Sequence, residues 1–456
     1  MKSYFEPFKI KAIEEIPITT RSEREKYIKE ANYNPFSLKS DYITIDLLTD
    51  SGTSAMSSKQ WAAIMDGDES YAGSRNWYEF EKEVKNITGF KHIIPAHQGR
   101  AAERILFSVI SGPGKIVPNN THFDTTRGNL EYNEAIAIDV PVPESEDPSF
   151  IAPFKGNMDI KALEKLIIEK GKENIPLCII TITNNSGGGQ PVSMENIRQT
   201  KELLKKYDIP LYLDCCRFAE NAYFIKKREK GYENKSILEI SQEMFSYADG
   251  ATMSAKKDGL SNIGGFIGTN DDKVAEALRT NLIVTEGFIT YGGLARRDLS
   301  ALAQGFREVV NERYLEYRIE QVDFLGKLLK EGGVPILEPV GGHGVYLDAK
   351  RFAPHIKQEY FPGQSIACEI YKEGGIRCCE IGSVMFGTYD DQGNFIAPTL
   401  ELVRLAIPRR VYTSDHLRYV AESVINVYNN REQLRGMKIT WQPEFLRHFT
   451  ANFDYI

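Results

Sequence analysis

The sequence contains no run of about 18 apolar residues, so no segment reads as a membrane-crossing helix. Its opening, Met1-Lys-Ser-Tyr-Phe-Glu-Pro-Phe-Lys-Ile-Lys11, is too charged for a secretory signal, and a cytoplasmic protein is expected. Basic charge is not in excess: 56 Lys and Arg against 63 Asp and Glu give a net charge of -7, which argues against a nucleic-acid or anionic-membrane partner. Cysteine is scarce, six residues at positions 178, 215, 216, 368, 378 and 379. Two adjacent pairs without a Cys-x-x-Cys spacing suggest neither a disulfide framework nor a zinc site, so reduced thiols are expected. Internal repeats and low-complexity segments are absent. Gly187-Gly-Gly-Gln190 lacks the Gly-Lys-Ser/Thr ending of a phosphate loop and reads as a turn.

What is present suits a folded enzyme-sized chain. A length of 456 residues exceeds one typical core and predicts a large domain with a smaller partner. Apolar residues at 42% and charged residues at 26% are ordinary for a globular protein. Over residues 49–310, strand-like apolar runs alternate with helical patterns, which predicts βαβ units and a largely parallel sheet. Ile160–Lys170 and Ser193–Lys206 read as amphipathic helices flanking a strand at Cys178–Thr183, with Ser193 as an N-cap. From residue 311 the pattern changes. A long helical stretch, Asn311–Glu331, precedes a strand-like Val340–Leu347, and residues 311–456 are expected to form a smaller α+β domain together with an N-terminal arm, residues 1–48.

The chain is organised around Met253-Ser-Ala-Lys-Lys-Asp-Gly-Leu-Ser-Asn-Ile-Gly-Gly265. Its two lysines stand among small and apolar residues, a setting that desolvates an amine, lowers its pKa and favours attack on a carbonyl to form a Schiff base, as pyridoxal phosphate requires. Alone, a Lys-Lys pair reads far more readily as two exposed side chains at a strand end, since charged residues are seldom fully buried. The residues around it decide. Asp214, ending the apolar run Ile209–Asp214, is the candidate carboxylate for a pyridinium nitrogen. Gln98, Gly99 and Arg100 lie between a strand-like His92–Pro95 and a helical pattern from Ala101, where helix-start N–H groups and a cation would take a phosphate, with Ser254 and Lys256 joining them. Phe123 offers a flat face for a ring or is an ordinary core residue. Asn185 and Arg217 are candidate donors to a ring hydroxyl, and Lys257 is the candidate Schiff-base lysine.

These residues belong to long strings, Ile45–Thr53, Gly67–Gly73, Thr181–Val192, Arg217–Ile225, Ser254–Asp258 and Leu446–Ala451, that together resemble the aromatic amino-acid β-eliminating lyases over nearly the whole chain. Members of that family release indole from tryptophan or phenol from tyrosine. The resemblance implies the aspartate-aminotransferase-like fold (fold type I) of pyridoxal phosphate enzymes, with a mainly parallel seven-stranded sheet. It also implies a homotetramer with active sites shared between subunits, in which two domains close over substrate. Arg404, in the strand-like Leu402–Ile407, suits a carboxylate on charge grounds, or tethers two elements. By resemblance it holds the substrate α-carboxylate with help from Thr49. Tyr71 matches a tyrosine reaching a neighbouring active site and acting as general acid. A potassium site is implied at Gly52, Asn262 and Glu69, the last from the adjoining subunit, although Glu69 alone would read as a surface acid.

The leaving group is read from a few positions. Where phenol-releasing members carry an arginine, this chain has Ile381; Asp124 replaces a threonine and His448 a phenylalanine. With Phe288 and Phe36, these favour the indole-releasing branch. The short connection Ser111–Val117 leans toward the phenol-releasing branch, but connections tolerate insertions cheaply. An aminotransferase or desulfurase on the same fold would keep Lys257 and Asp214 without needing Tyr71, Asp124 and His448 together. A non-catalytic relative would have no use for the complete cofactor set.

Overall fold

The computed structural model describes residues 5–456. The chain forms two compact units: a large one of Ser51–Ser145 and Ala152–Glu316, and a small one of the chain up to Asp50 with Glu146–Ile151 and Tyr317–Ile456. The peptide Glu146–Ile151, which no feature of the sequence singles out, is tied into the small unit where the Glu338 N–H donates to the Pro148 carbonyl at 2.7 Å.

The large unit is built on a seven-stranded sheet of β1 (His92–Ala96), β2 (Ile116–Asn119), β3 (Ile136–Asp139), β4 (Cys178–Thr181), β5 (Leu211–Asp214), β6 (Gly250–Ser254) and β7 (Gly265–Thr269), in the order β1-β7-β6-β5-β4-β2-β3. Strands β2 to β6 pair in parallel, and β7 runs antiparallel to both its neighbours. Strands β4 to β7 are buried at every position, because helices cover both faces; the edge strand β3 has no buried residue. Ile94, Leu106, Val117, Ile179, Tyr212 and Ile267 share one core cluster.

Three helices matter for the site: α1 (Gly99–Ile110), α2 (Asp124–Tyr132) and α3 (Phe218–Arg228). The pattern predicted α1 from Ala101, but the helix begins at Gly99, two residues earlier. Gln98 is extended at the N-cap, and a side chain on Gly99 would stand 2.6 Å from Ser254 Cβ, so glycine lets the first turn pack against the end of β6. Elsewhere the predicted helix Ile160–Lys170 forms within those bounds, and Ser193 caps Met194–Lys206 by accepting from the Asn196 N–H.

In the small unit, β8 (Gly344–Asp348), β9 (Cys379–Ile381) and β10 (Leu402–Ala406) make an antiparallel sheet with β10 in the middle. The predicted strand from Val340 begins only at Gly344; the glycines at 341 and 342 have no side chains to pack. Helices α4 (Pro362–Gly374) and α5 (Ser414–Asn429) contribute Ile366, Ile370, Leu417, Val420 and Val424 to its core. The N-terminal helix Arg21–Glu30 carries a Thr20–Glu23 capping box and buries Ile28 in a cluster with Phe361, Tyr371 and Phe453.

Candidate functional site

In the large unit the predicted cofactor residues collect at the carboxyl end of the sheet, as expected of open α/β folds. Gln98 and Gly99 sit at the start of α1, where unpaired backbone N–H groups favour an anion. Lys256 Nζ reaches Gln98 Oε1 at 3.4 Å, and the exposed Arg100 follows on the first turn. Burial, then the charges of Lys257 and Arg100, lower the Lys256 pKa. An anion bound here would reverse that cationic repulsion.

Asp214, the last residue of β5, is buried and accepts from the Cys216 thiol at 2.9 Å, while the Cys216 sulfur accepts the Ser254 N–H at 3.2 Å. Burial above all, with the Asp214 charge adding to it and Lys257 opposing, pushes the Cys216 pKa up to about 12, so the sulfur keeps its proton and donates it. Arg217, also buried, caps α3. Asp258 accepts the Ala219 N–H at 2.8 Å at the start of the same helix, which pins the loop carrying the half-buried Lys257. Asn185 is buried in a turn that the Asn184–Gln190 backbone pair closes.

Phe123 is the N-cap of α2 and Asp124 its first residue. The first turn is clamped from α1 by Glu103, which accepts from the Thr126 hydroxyl at 2.5 Å and the Thr125 hydroxyl at 3.0 Å. Burial and then the Asp214 charge raise the Glu103 pKa to about 7, against the two threonines and Lys257. Neither Glu103 nor Cys216 was among the sequence candidates. Glu103 had a signal: it is the acid in the otherwise apolar Ala101, Ala102, Ile105, Leu106 face of α1.

Gly52 and Asn262 meet, since the Asn262 amide donates to the Gly52 carbonyl at 3.0 Å and to the Ser54 carbonyl at 3.2 Å. Glu69 is not brought to them; it pairs with Arg297 at 3.0 Å. Among the described residues no group of three or more His, Cys, Asp or Glu is placed to hold a metal. Tyr71 is 64% exposed, with its ring 5.6 Å from those of Phe288 and Tyr291. The hydrogen bond to Tyr291 raises the Tyr71 pKa.

In the small unit, Arg404 lies buried at the centre of β10 opposite Cys379 and Tyr346, and donates to the Leu48 carbonyl at 2.9 Å, next to Thr49. Ile381 is enclosed by Leu48, Leu337, Tyr346, Cys379 and Leu402, with Phe36 packed alongside. His448 is buried, its ring 6.0 Å from that of Phe36, and Asn34 donates to the His448 and Ala451 carbonyls. The N-terminal arm is thus fastened to the C-terminal residues.

The fold is that of a chain in the crystal structure of a SepCysS–SepCysE N-terminal domain complex, with a TM-score of 0.56 over 86% of this chain and 95% of that one, at 14% identity. Residues 46–423 match the Beta-eliminating lyase family, and the chain belongs to it. It is 54% identical over 454 residues to a tryptophanase of Hyphomonas neptunium, covering 100% of both chains. A tryptophanase of Salinibacter ruber is also 54% identical, covering 99% of this chain and 96% of that one. A tyrosine phenol-lyase of Clostridium tetani is 52% identical, covering 99% and 98%.

Proposed function

We propose that this chain is a pyridoxal phosphate-dependent lyase that splits tryptophan into indole, pyruvate and ammonia. Overall identity hardly separates the two named activities, so the choice rests on position 381. Ile381 is 1% exposed in an apolar cluster and offers no donor to a phenolic oxygen. A phenolic hydroxyl left without its partner would cost ~1–3 kcal/mol, about ten- to a hundredfold in discrimination. The competing reading, a tyrosine phenol-lyase, draws on the short Ser111–Val117 connection and the Clostridium tetani relative.

The large unit's residues fit the cofactor on two observations. Gly99 allows the helix start and the Ser254 strand end to approach with backbone donors only, and Asp214 is a buried carboxylate whose bonded neighbour, Cys216, stays a proton donor. Gln98, Gly99, Arg100, Ser254 and Lys256 would hold the phosphate, Phe123 the ring face, Asp214 the ring nitrogen, Asn185 and Arg217 the ring hydroxyl, and Lys257 the aldehyde. Bound there, pyridoxal phosphate supplies an electron sink for the charge released at the substrate α-carbon.

The remaining chemistry belongs to the chain. Arg404, with Thr49, binds the α-carboxylate. Lys257 removes the α-proton. A carbon leaving group departs poorly until its ring carbon is protonated, and Tyr71 is the acid for that step; a tyrosine is protonated at neutral pH, and the hydrogen bond to Tyr291 raises its pKa further. Asp124 or His448 accepts from the indole N–H, and Phe288 with Ile381 provides apolar surface. A homotetramer, potassium held by Gly52, Asn262 and the Glu69 of an adjoining subunit, and a cytoplasmic setting complete the proposal. The six unpaired thiols suit a reducing compartment.

The test is to incubate purified protein with pyridoxal phosphate, potassium and tryptophan, and assay indole and pyruvate. Phenol from tyrosine alone overturns the substrate; nitrogen transfer to a keto acid overturns the reaction class.

A further inference from the structure

Ile381 is followed by the turn Gly382–Gly387, and two buried carboxyl groups meet beneath it. Glu380, 4% exposed, accepts the Val384 N–H on Oε1 at 3.0 Å and the Met385 N–H on Oε2 at 3.2 Å. Glu401, 1% exposed, uses only Oε2, which accepts the Ser383 N–H at 3.0 Å, the Gln358 amide at 3.2 Å and the Ser383 hydroxyl. Its Oε1 is buried with no hydrogen-bond partner of ordinary geometry, although the Gly363 N–H is near enough to this carboxyl to lower its pKa. Glu380 Oε1 and Glu401 Oε1 each lie 2.9 Å from where a side chain would leave Gly382, so the two atoms face one small space.

Two carboxylates this close and this dry do not both ionise. Burial raises both pKa values, and a charge on either acid would oppose ionisation of the other, as Glu401 does at Glu380. The hydrogen bonds decide which acid keeps the proton, since both Glu380 oxygens already accept backbone N–H groups and only Glu401 Oε1 has room for a hydrogen. Arg447 acts on Glu380, but its guanidinium is committed to the Ser383, Val384 and Gly387 carbonyls, each at 2.7 Å. The turn is thereby held from one side by the carboxyl pair and from the other by the residue preceding His448.

We propose that Glu401 carries a proton on Oε1 and donates it to Glu380 Oε1, and that this pair is the positioning element that fixes the turn after Ile381 and, through Arg447, the site of His448. Its functional half rests on the reading of Ile381 and His448 as leaving-group residues. The two partners are not equivalent. A glutamine at 401 keeps its oxygen on Ser383 and points its amide N–H where the proton was. A glutamine at 380 must set an NH2 group against a backbone N–H, because both Glu380 oxygens already accept.

The experiment compares Glu401→Gln and Glu380→Gln in the holoenzyme by thermal unfolding, by infrared spectroscopy, and by KM and kcat for tryptophan and S-methylcysteine. Glu401→Gln is expected to keep the melting temperature and to leave KM for tryptophan within about twofold, while losing a protonated-carboxyl infrared band that the wild type shows. Glu380→Gln is expected to melt earlier and to raise KM for tryptophan about tenfold, with S-methylcysteine turnover retained. Equal damage from both variants, a neutral Glu380→Gln, or no carboxyl band lost in Glu401→Gln overturns the proposal. Should Glu380→Gln fail to fold, the band and the intact Glu401→Gln variant still decide. If the wild type turns over neither tryptophan nor tyrosine, the functional reading fails on its own, and melting and infrared data still judge the pair.

Discussion

Replacing Glu103 by glutamine tests whether a buried acid at the heart of the large unit holds a proton near neutrality. In the folded chain its pKa rises from the ordinary 4.5 to about 7, mainly through burial and secondly through the Asp214 charge. Below the ordinary carboxyl pKa both folded and unfolded chains are protonated, and the group has no effect on the balance. As pH rises through the window up to about 7, the unfolded chain releases a proton that the folded chain retains, so stability falls with pH. Such a difference is worth ~3 kcal/mol in full, less what Asp214 and the threonines share by coupling. Glutamine keeps the clamp, because its oxygen accepts from Thr126 while its amide donates to the Thr125 hydroxyl, which works in either sense. The assay is urea unfolding of wild type and Glu103→Gln at about pH 5 and about pH 8; the wild type is expected to lose ~1–3 kcal/mol more than the variant across that interval. Identical losses would refute a protonated Glu103.

Three further outcomes are expected from the site. Lys257→Ala should abolish both the visible absorbance of bound cofactor and turnover; retention of both rejects the role of that amine. Gly99→Ala places a Cβ 2.6 Å from Ser254 Cβ and 3.1 Å from the Ser254 backbone, which separates helix start from strand end; pyridoxal phosphate affinity, read by fluorescence titration, should fall about tenfold or more, ~1.4 kcal/mol, with circular dichroism unchanged. His448→Phe combined with Ile381→Arg should weaken tryptophan turnover about ten- to a hundredfold and S-alkylcysteine turnover less, since better leaving groups need less help; equal losses count against the pocket assignment.

The parts legible in the sequence are those whose signal is local. Asp214 closes an apolar run and therefore had to sit at a buried strand end, and Ser193 precedes a helical pattern as an N-cap should. The Lys256-Lys257 pair stood out because its neighbours are small and apolar. Periodicity could not show that α1 begins at Gly99, since that start depends on Ser254, which approaches from more than 150 positions away. Cys216 was equally silent. A cysteine beside another cysteine carries no mark of the aspartate and the backbone N–H it joins.

The acids that escaped the sequence reading share one physical cause. Glu103, in the apolar face of a helix, and Glu380 and Glu401, in strand-like runs, each break a hydrophobic pattern. Read locally, such a residue is only an irregularity, because its partner is fixed by tertiary register: Thr125 and Thr126 for Glu103, and Glu401 for Glu380. A buried acid costs several kcal/mol unless donors surround it or a proton neutralises it. Hydroxyls meet Glu103 and backbone N–H groups meet Glu380, whereas one oxygen of Glu401 meets neither. That unmatched atom is where the proposed proton resides, beneath the turn that follows Ile381, one of the residues proposed to choose the leaving group.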